Sequence, residues 1–493
     1  MERDRLFQAW RMTPGKLAVL LFAAVLLLAS GNNVMAQQPS YEVEQLKSTV
    51  ESLQKTVQQL NDRIATLEKE RAVAPVPQAL VQQTPAPQAQ LAAATAPAAI
   101  PEGNASPVTL RESFNNEQLA APRLNDLTVD PKYEGFFRIP NSPVIMQFNA
   151  KPHLDLMEDN RNSGDQTRFV TATIPMEGSP DYGGGSRFNM NAKATNMSWD
   201  VRAPGMAGSP RFFVQIDFFN SENPKLDLRW KQIYAQYYNF VIGQTITLFE
   251  DPDIWPDTVD YEGPNSMIFA RQPVVHYLLR LSPEWNMTLG AERPDSQVAP
   301  YYGASVTGTN RIPDLGFNIR WERAKAGHVQ FAAMFRDIGA RSPVWGDKTV
   351  FGWGANLSGV FEVGKRDSLQ GQLTYGEGIG RYCNDAFSNM DAAFTTGGEL
   401  KALPYFGGFF GYTHWWNEKL RTTLTFGYVD LQDELSMGPD AYHRTDYASI
   451  NAVYQFRKKM SFGWEVLWGQ KQQQNLLSGD VWRLQFGIAY KLF

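Results

Sequence analysis

Six carboxylates lie close together in the segment 248–271, and their spacing makes this the stretch best placed to do chemistry. They are Glu250, Asp251, Asp253, Asp257, Asp260 and Glu262, and no basic residue appears before Arg271. Prolines within the segment exclude a continuous helix or a central strand, and its aromatic residues argue against disorder. A connection of this length is usually functional. We predict a loop folded into the mouth of a barrel; the alternative is an acidic, solvated surface loop.

The acidic segment matches no catalytic or metal-binding motif. It lacks the glycine and terminal glutamate spacing of an EF-hand, although loose Ca²⁺ binding is left open. The sequence has no Gly-x-Ser-x-Gly elbow and no phosphate loop. The histidines show no metal-ligand spacing; they are His153, His276, His328, His414 and His443. We therefore expect no enzymatic activity, no cofactor and no metal.

Composition and the N-terminal residues indicate an exported protein. The formal net charge of −5 excludes a basic nucleic-acid binder, and the mean hydropathy of −0.36 excludes a helical membrane protein. The apolar run 17–29 follows several basic residues and precedes the small-residue site Val34-Met35-Ala36. This order predicts a signal peptide over residues 1–36. A single cysteine, Cys383, suits a periplasmic or outer-membrane protein.

Residues 37–72 carry a heptad pattern that predicts a periplasmic coiled coil. The apolar positions alternate spacings of three and four; they are Val43, Leu46, Val50, Leu53, Val57, Leu60, Ile64 and Leu67. β-Branched residues at every a position and Leu at every d position favour a dimer. The run Arg63-Ile64-x-x-Leu67-Glu68 instead resembles a short trimer signature. The heptads alone therefore leave dimer and trimer open.

Two further segments separate this helix from the rest of the chain. Residues 73–107 are rich in Pro, Ala and Gln, which is typical of a semi-extended linker without a core. Residues 108–142 are transitional, and the sequence does not decide between a periplasmic position and one inside the barrel.

From residue 143 onward the apolar pattern has a period of two, which predicts β-strands. Large apolar residues at even positions of 482–492 alternate with polar or small residues such as Arg483 and Gln485. The polar rows are charged and the apolar rows are aromatic near their ends, as a lipid-facing band requires. We predict an all-β transmembrane barrel over 143–493 with about sixteen antiparallel strands.

The predicted connections alternate between short and long, which is typical of outer-membrane barrels. Short ones are expected near 203–209, 239–240, 282–284, 323–327, 364–367, 416–418 and 457–459. Long ones are expected at 158–186, 248–274, 293–311, 337–349, 376–400 and 430–442, with shorter partners at 220–225 and 471–479. Both chain ends then lie on the short-turn, periplasmic side. The acidic segment 248–271 becomes the third long loop, which in general porins folds inward. Porins of this size are typically trimers, so we favour the trimeric coiled coil.

The alternation also predicts which bases face the lumen. The predicted pore-lining bases are Arg187, Lys193, Arg229, Lys231, Arg271, Arg280 and Arg320. Bases on the wall opposite carboxylates on the loop set a transverse field that selects ions by sign. Alternatively, each base only pairs with an acid on the next strand and leaves no net selectivity.

Several motifs together resemble the DcaP-like porins. They are Leu228–Tyr234 (LRWKQIY), Ile242–Thr245 (IGQT), Asp251-Pro252, Val259–Asn265 (VDYEGPN) and Arg271, with Phe136–Pro140 (FFRIP) ahead of the first strand. The order of heptads, linker and barrel is similar as well. The resemblance implies a trimeric channel with a preference for anionic solutes, dicarboxylates among them.

The expected function is passive diffusion of small, anionic solutes through a homotrimeric porin of the Gram-negative outer membrane. Expected partners are outer-membrane lipid and lipopolysaccharide, and the barrel-assembly machinery through the C-terminal Phe493; nucleic acid is not one. The alternative is an envelope tether in which the barrel is an anchor and the coiled coil extends through the periplasm. The long Pro/Ala linker motivates that alternative.

Overall fold

The computed structural model describes residues 113–115, 121–122, 136–220, 225–386 and 388–492. The predicted signal peptide, coiled coil and linker lie outside the described residues, as does Phe493. Among the described residues, no helix has the length and apolar character needed to cross a membrane.

The described chain is built almost entirely of β-strands. They are β1 (Phe137–Arg138), β2 (Ile145–Lys151), β3 (His153–Asp159), β4 (Arg187–Asn191), β5 (Asn196–Arg202), β6 (Arg211–Asp217), β7 (Arg229–Tyr237), β8 (Phe240–Ile246), β9 (Arg271–Arg280), β10 (Trp285–Glu292), β11 (Thr307–Thr309), β12 (Asp314–Arg323), β13 (Gly327–Ser342), β14 (Gly346–Val363), β15 (Asp367–Glu377), β16 (Ala392–Phe394), β17 (Leu400–Ala402), β18 (Pro404–Trp415), β19 (Leu420–Leu431), β20 (Tyr442–Arg457), β21 (Met460–Gln473) and β22 (Ser478–Tyr490).

The period of two in the sequence becomes two different faces of one large sheet, because successive side chains of a strand point in opposite directions. On β22, Trp482 and Leu484 are exposed, whereas Arg483 and Gln485 are almost fully buried. We call the face of the exposed, largely apolar side chains the apolar face, and the opposite one the polar face. The alternation predicted from the sequence is therefore observed.

Neighbouring strands of the large sheet pair antiparallel and mostly in chain order. Strands β2 and β3 continue one another across Pro152: β2 pairs with β5, and β3 pairs with β4. The last strand, β22, pairs both with β21 and with β3. The end of the sheet thus lies beside its beginning. Strands β16 and β17 form a separate small hairpin.

The predicted short turns are observed at 203–210, 238–239, 281–284, 324–326, 364–366, 416–419 and 458–459. One predicted long connection, 337–349, is wrong. Strands β13 and β14 stay paired from Asp337↔Phe351 to Ser342↔Gly346, so only 343–345 turn. The polar and glycine residues there suggested a loop, but backbone pairing does not need an apolar side-chain pattern. Gly346, at φ +69°, supplies the left-handed conformation beside the turn.

Strand length differs strongly around the sheet. Strands β6 and β8 have 7 residues each and β7 has 9. Strands β13, β14 and β20 have 16, 18 and 16 residues. The sheet therefore has a side of short strands, which we call the low side, and a side of long strands, which we call the tall side.

Candidate functional site

The acidic segment connects β8 to β9 and lies against the polar face. Polar side chains on separate strands bind its carbonyl groups: Asn318 of β12 donates to Leu248 O at 2.8 Å, and Asn356 of β14 donates to Phe249 O at 2.9 Å. Further along, Gln372 of β15 donates to Ser266 O at 2.8 Å. Side chains of the strands thus satisfy backbone carbonyl groups of the segment that are not paired within a regular helix or sheet.

Asp251 and Asp253 form the first anchor of the segment. Arg320 of β12 contacts Asp251 at 3.0 Å and Asp253 at 2.7 Å. Asp251 also meets His328 at 2.8 Å and accepts a hydrogen bond from the Ser358 hydroxyl at 2.8 Å. Burial raises the pKa of Asp251, but His328 and Arg320 outweigh it and bring the pKa to about 2. This carboxylate is therefore charged over the whole physiological range.

Asp257 forms a second anchor, shared with the N-terminal part of the chain. Its carboxylate is paired with Arg421 of β19 and accepts the backbone N–H of Phe114 at 2.5 Å. Asn115 donates to the carbonyls of Thr258 at 3.1 Å and Asp260 at 3.3 Å. Part of the predicted transitional segment 108–142 therefore packs on the acidic segment itself.

The Phe114 ring packs directly against Gly487 and lies near Gly463. It is 1% exposed and packs with Val259, Val453 and Ala489. Gly463 of β21 and Gly487 of β22 lie opposite one another. A Cβ atom on Gly487 would lie 2.9 Å from two ring carbons of Phe114. Only glycine leaves room for the ring at that position.

Asp260 is the most deeply buried of the six acids. Its carboxylate accepts the backbone N–H groups of Phe169 at 3.1 Å and Glu262 at 2.8 Å, and Arg483 lies 3.7 Å away. Burial dominates and raises its pKa to about 7 despite Arg483. The neighbouring carboxylate of Glu465 accepts the N–H groups of Val259 and Asp260 at 2.8 and 2.7 Å.

Glu262 and Glu250 complete the set. Glu262 pairs with Arg168, from the connection between β3 and β4, at 3.1 Å; burial raises its pKa against the pull of that base. Glu250 accepts the Ala270 N–H at 3.2 Å. All six predicted acids are buried, none more than 8% exposed. The alternative of a solvated surface loop is therefore wrong.

Three of the predicted bases meet in one cluster, together with Arg168. Arg229 and Lys231 reach the same carboxylate, Asp217, at 2.6 and 3.6 Å. Lys193, Arg168 and Arg229 lie over the ring of Phe219 at 5.5–5.9 Å. Phe219 stacks on Tyr261 of the acidic segment, with ring centroids 4.2 Å apart. We call Arg168, Lys193, Arg229 and Lys231 the basic cluster.

The other predicted bases lie elsewhere. Arg320 holds the first anchor. Arg187 lies opposite Asp159 in the β3–β4 pair. Arg271 packs on Phe269 of the acidic segment at 4.1 Å, and Arg280 is exposed at the end of β9.

The connection 378–403 supports the second half of the acidic segment. Asn384 donates to Pro264 O at 2.9 Å, and the Phe269 N–H donates to Tyr382 O at 2.8 Å. Cys383 is fully buried and contacts Asn265 O at 3.4 Å. Burial raises the pKa of its thiol to about 12, so it stays protonated. This connection therefore packs against the second half of the acidic segment and holds it with hydrogen bonds.

A cavity of about 130 Å³ adjoins the first anchor. Its lining includes Glu250, Asp253, His276, Arg320 and Glu322. His276 contacts Glu292 at 2.9 Å. Within the described ranges, no three His, Cys, Asp or Glu side chains are grouped so as to hold a metal ion.

The sequence of the strand region matches a known family. A model of the DcaP outer membrane protein family matches residues 142–492. The chain belongs to this family. Searching the curated proteins found no match.

One solved structure has the same fold as this DcaP-family chain. The outer-membrane channel DcaP of Acinetobacter baumannii is 19% identical, with a TM-score of 0.63, over 72% of this chain and 99% of that one. An anion-selective porin from Comamonas acidovorans is 8% identical, with a TM-score of 0.46, over 71% of this chain and 100% of that one. OmpF of Salmonella typhi, solved with daunomycin, is 11% identical, with a TM-score of 0.43, over 72% and 100%.

Sequence reasoning missed two contributors to the site in this DcaP-family chain. Arg168 lies in a long connection without periodicity, so no local signal pointed to it. Phe114 lies in the transitional segment 108–142, for which the sequence did not decide between a periplasmic position and one inside the barrel. The glycines that receive it did carry a signal, since an isolated glycine inside a strand often marks a close approach of another group.

Proposed function

We propose that this chain is a passive outer-membrane channel for small anionic solutes, dicarboxylates among them, and not an enzyme. The observation that carries the proposal is that two arginines beside the acidic segment are more exposed than the carboxylates that hold it. The side chains of Asp251, Asp257 and Asp260 are 0–6% exposed. Those of Arg168 and Arg229 are 20% and 25% exposed. We infer that these two guanidinium groups are more accessible to a solute than the anchoring carboxylates are.

In this proposal the role of the buried carboxylates is structural. Asp251 and Asp257 each pair with an arginine on a different strand, and Asp260 binds backbone N–H groups, so the three residues hold the segment across the lumen. Removing one partner of a buried ion pair strongly destabilises the folded protein, because the other charge is left buried and unpaired. The segment is thereby a fixed constriction, and Arg168 and Arg229, the two more accessible members of the basic cluster, supply the preference for anions.

The proposed architecture is a barrel of about sixteen strands. The pairing of β22 with β3 supports closure, and the exposed apolar face suits contact with lipid. Irregular backbone at membrane depth is tolerated only where protein or water surrounds it, which fits the acidic segment on the polar face.

The proposed assembly is a homotrimer. A strand that crosses the bilayer needs about 9–11 residues, and β6 and β8 have only 7 each. This low side of the sheet is better covered by neighbouring copies than by lipid. A cross-link between cysteines introduced on β7 of two copies tests this arrangement, and a chain that runs as a monomer in mild detergent contradicts it.

The decisive experiment measures reversal potential in planar bilayers under a KCl gradient. Arg229→Gln is the most informative variant, because it removes one accessible charge without leaving Asp217 unpaired. Asp217 still has Lys231 at 3.6 Å and the Tyr261 hydroxyl at 3.0 Å. The potential is expected to shift toward cations, and the shift should shrink between 0.1 M and 1 M salt as the Debye length falls from about 10 to about 3 Å.

The matched control is Arg311→Gln, which removes one charge from an exposed ion pair with Asp337. It should leave the potential unchanged. Equal potentials for Arg229→Gln and the wild type at low salt would refute the anion preference. Absence of any stepwise current from the wild type would refute the channel itself.

A further inference from the structure

The short-turn edge of the sheet carries an unusual charge pattern. The turns at 324–326, 364–366, 416–419 and 458–459 and their adjoining strand ends present a row of exposed bases. They are Arg323, Lys325, Lys365, Arg366, Lys419, Arg457, Lys458 and Lys459, and we call them the basic collar. The same turns and strand ends carry one exposed acidic residue, Glu418, whereas Glu322, Glu362 and Asp367 are half-buried or buried. The whole chain is negative, at −5, so this edge is distinct from the average surface.

The basic collar covers only part of the edge. The turns at 203–210 and 238–239 contain no charged residue and expose Met206 and Tyr238. These uncharged turns flank the short strands β6–β8, whereas the collar turns join strands of β12–β15 and β18–β21, which have 10 to 18 residues. Two independent features, strand length and turn charge, therefore divide the sheet at the same place.

Aromatic side chains accompany the collar. Trp416 and Phe456 are exposed beside its turns. The Arg366 guanidinium lies 5.5 Å from the Trp415 ring, and that of Arg457 lies 5.6 Å from the Phe456 ring. Exposed aromatic residues mark the level of the lipid headgroups. We therefore infer that the collar bases lie at the depth of the phosphates, on the side of the sheet with the longer strands.

Internal ion pairs do little to neutralise the collar. Arg366 approaches Glu418 at 3.7 Å with side chains 49% and 87% exposed, and Arg323 approaches Glu284 at 3.5 Å with 66% and 45%. Exposed pairs of this length contribute little and are screened by salt. The bases remain accessible to an external anion.

We propose that the basic collar binds anionic phospholipid headgroups of the inner leaflet of the outer membrane. This inference rests on the proposed function, since it takes the short turns to be periplasmic. Each base near an anionic surface adds attraction, and the aromatic residues hold the collar at headgroup depth. Anionic lipid would thereby fix the height and tilt of the tall side of the barrel.

The test is native mass spectrometry of the full-length channel in detergent. Phosphatidylglycerol and phosphatidylethanolamine with the same acyl chains are titrated separately. The wild type should bind phosphatidylglycerol on the order of tenfold more tightly. The variant Lys365→Gln/Arg366→Gln/Lys458→Gln/Lys459→Gln should bind the two lipids about equally.

The matched control removes the same charge at the opposite edge. Arg311, Arg341, Lys348 and Lys401 are all exposed there, and their replacement by Gln should preserve the preference for phosphatidylglycerol. Equal binding of both lipids by the wild type overturns the proposal, as does a collar variant that keeps the preference or a control that loses it.

Two further arms separate the remaining outcomes. Co-sedimentation with purified peptidoglycan tests the other anionic polymer of the periplasm. Binding that the collar variant loses there, with an unchanged lipid preference, would assign the collar to the cell wall and overturn the proposal. Unitary current is recorded for every variant. Loss of current in the wild type counts against the proposed channel, whereas normal current without lipid preference counts only against the collar.

Discussion

The contact between Phe114 and Gly487 offers a sharp test of how the N-terminal segment is seated. In Gly487→Ala, the new Cβ would lie 2.9 Å from the Phe114 ring carbons Cε1 and Cζ, and equally close to Val259 Cγ1. Overpacking of this kind costs about 1–3 kcal/mol. Removing the ring in Phe114→Ala costs about 3 kcal/mol, because a buried aromatic side chain is lost.

The losses of unfolding free energy in Gly487→Ala and Phe114→Ala should not be additive. Once the ring is gone, the added methyl group at residue 487 meets only Val259. The double variant should therefore be more stable than the sum of the single losses predicts, with a coupling of about 1 kcal/mol. Urea unfolding of the purified chain in detergent micelles, followed by tryptophan fluorescence, supplies the free energies of the four members of the cycle.

Gly463 provides the matched control, because it is paired with Gly487 on the next strand. A Cβ there would lie 2.5 Å from Val259 Cγ2 but 3.4 Å from Phe114. Gly463→Ala should therefore couple to Val259→Ala and scarcely to Phe114→Ala. Additive losses for Gly487→Ala and Phe114→Ala, within about 0.5 kcal/mol, would refute the reasoning that the glycine exists to seat this ring.

Three further predictions concern pH and assembly. Because burial raises the pKa of Asp260 to about 7, the folded chain holds a proton that the unfolded chain has released. The stability of the wild type relative to Asp260→Asn should therefore fall by about 3 kcal/mol from pH 5 to pH 8; a pH-independent difference in urea unfolding contradicts this. Leu60→Asp should weaken the predicted coiled coil, since a buried unpaired carboxylate is costly, and leave unitary current intact; loss of current would place the helix in the conduction path. Deletion of 37–107 should leave a trimer on native gels, because the barrel supplies its own contacts, and a clean shift to monomer would show that the helix alone assembles the protein.

The sequence by itself determined the strands, their two faces and most turns. Arg483 and Gln485 were expected on the opposite face from Trp482 and Leu484, and they are found there. This is possible because side-chain alternation is a local property that each strand carries in its own residues. The turn at 343–345 escaped prediction, because pairing of β13 with β14 depends on backbone groups that all residues share.

Only the tertiary structure decided which charges meet. Asp251 finds Arg320 and His328 at separations of 69 and 77 residues, and Asp257 finds Arg421 at 164. The position of a carboxylate in the sequence does not identify its partner, because the path of the segment across the sheet brings the two side chains together. The sequence therefore identified the acidic segment and several bases, whereas the fold decided that the acids are buried, most of them beside bases, and that Arg168 and Arg229 stay partly exposed.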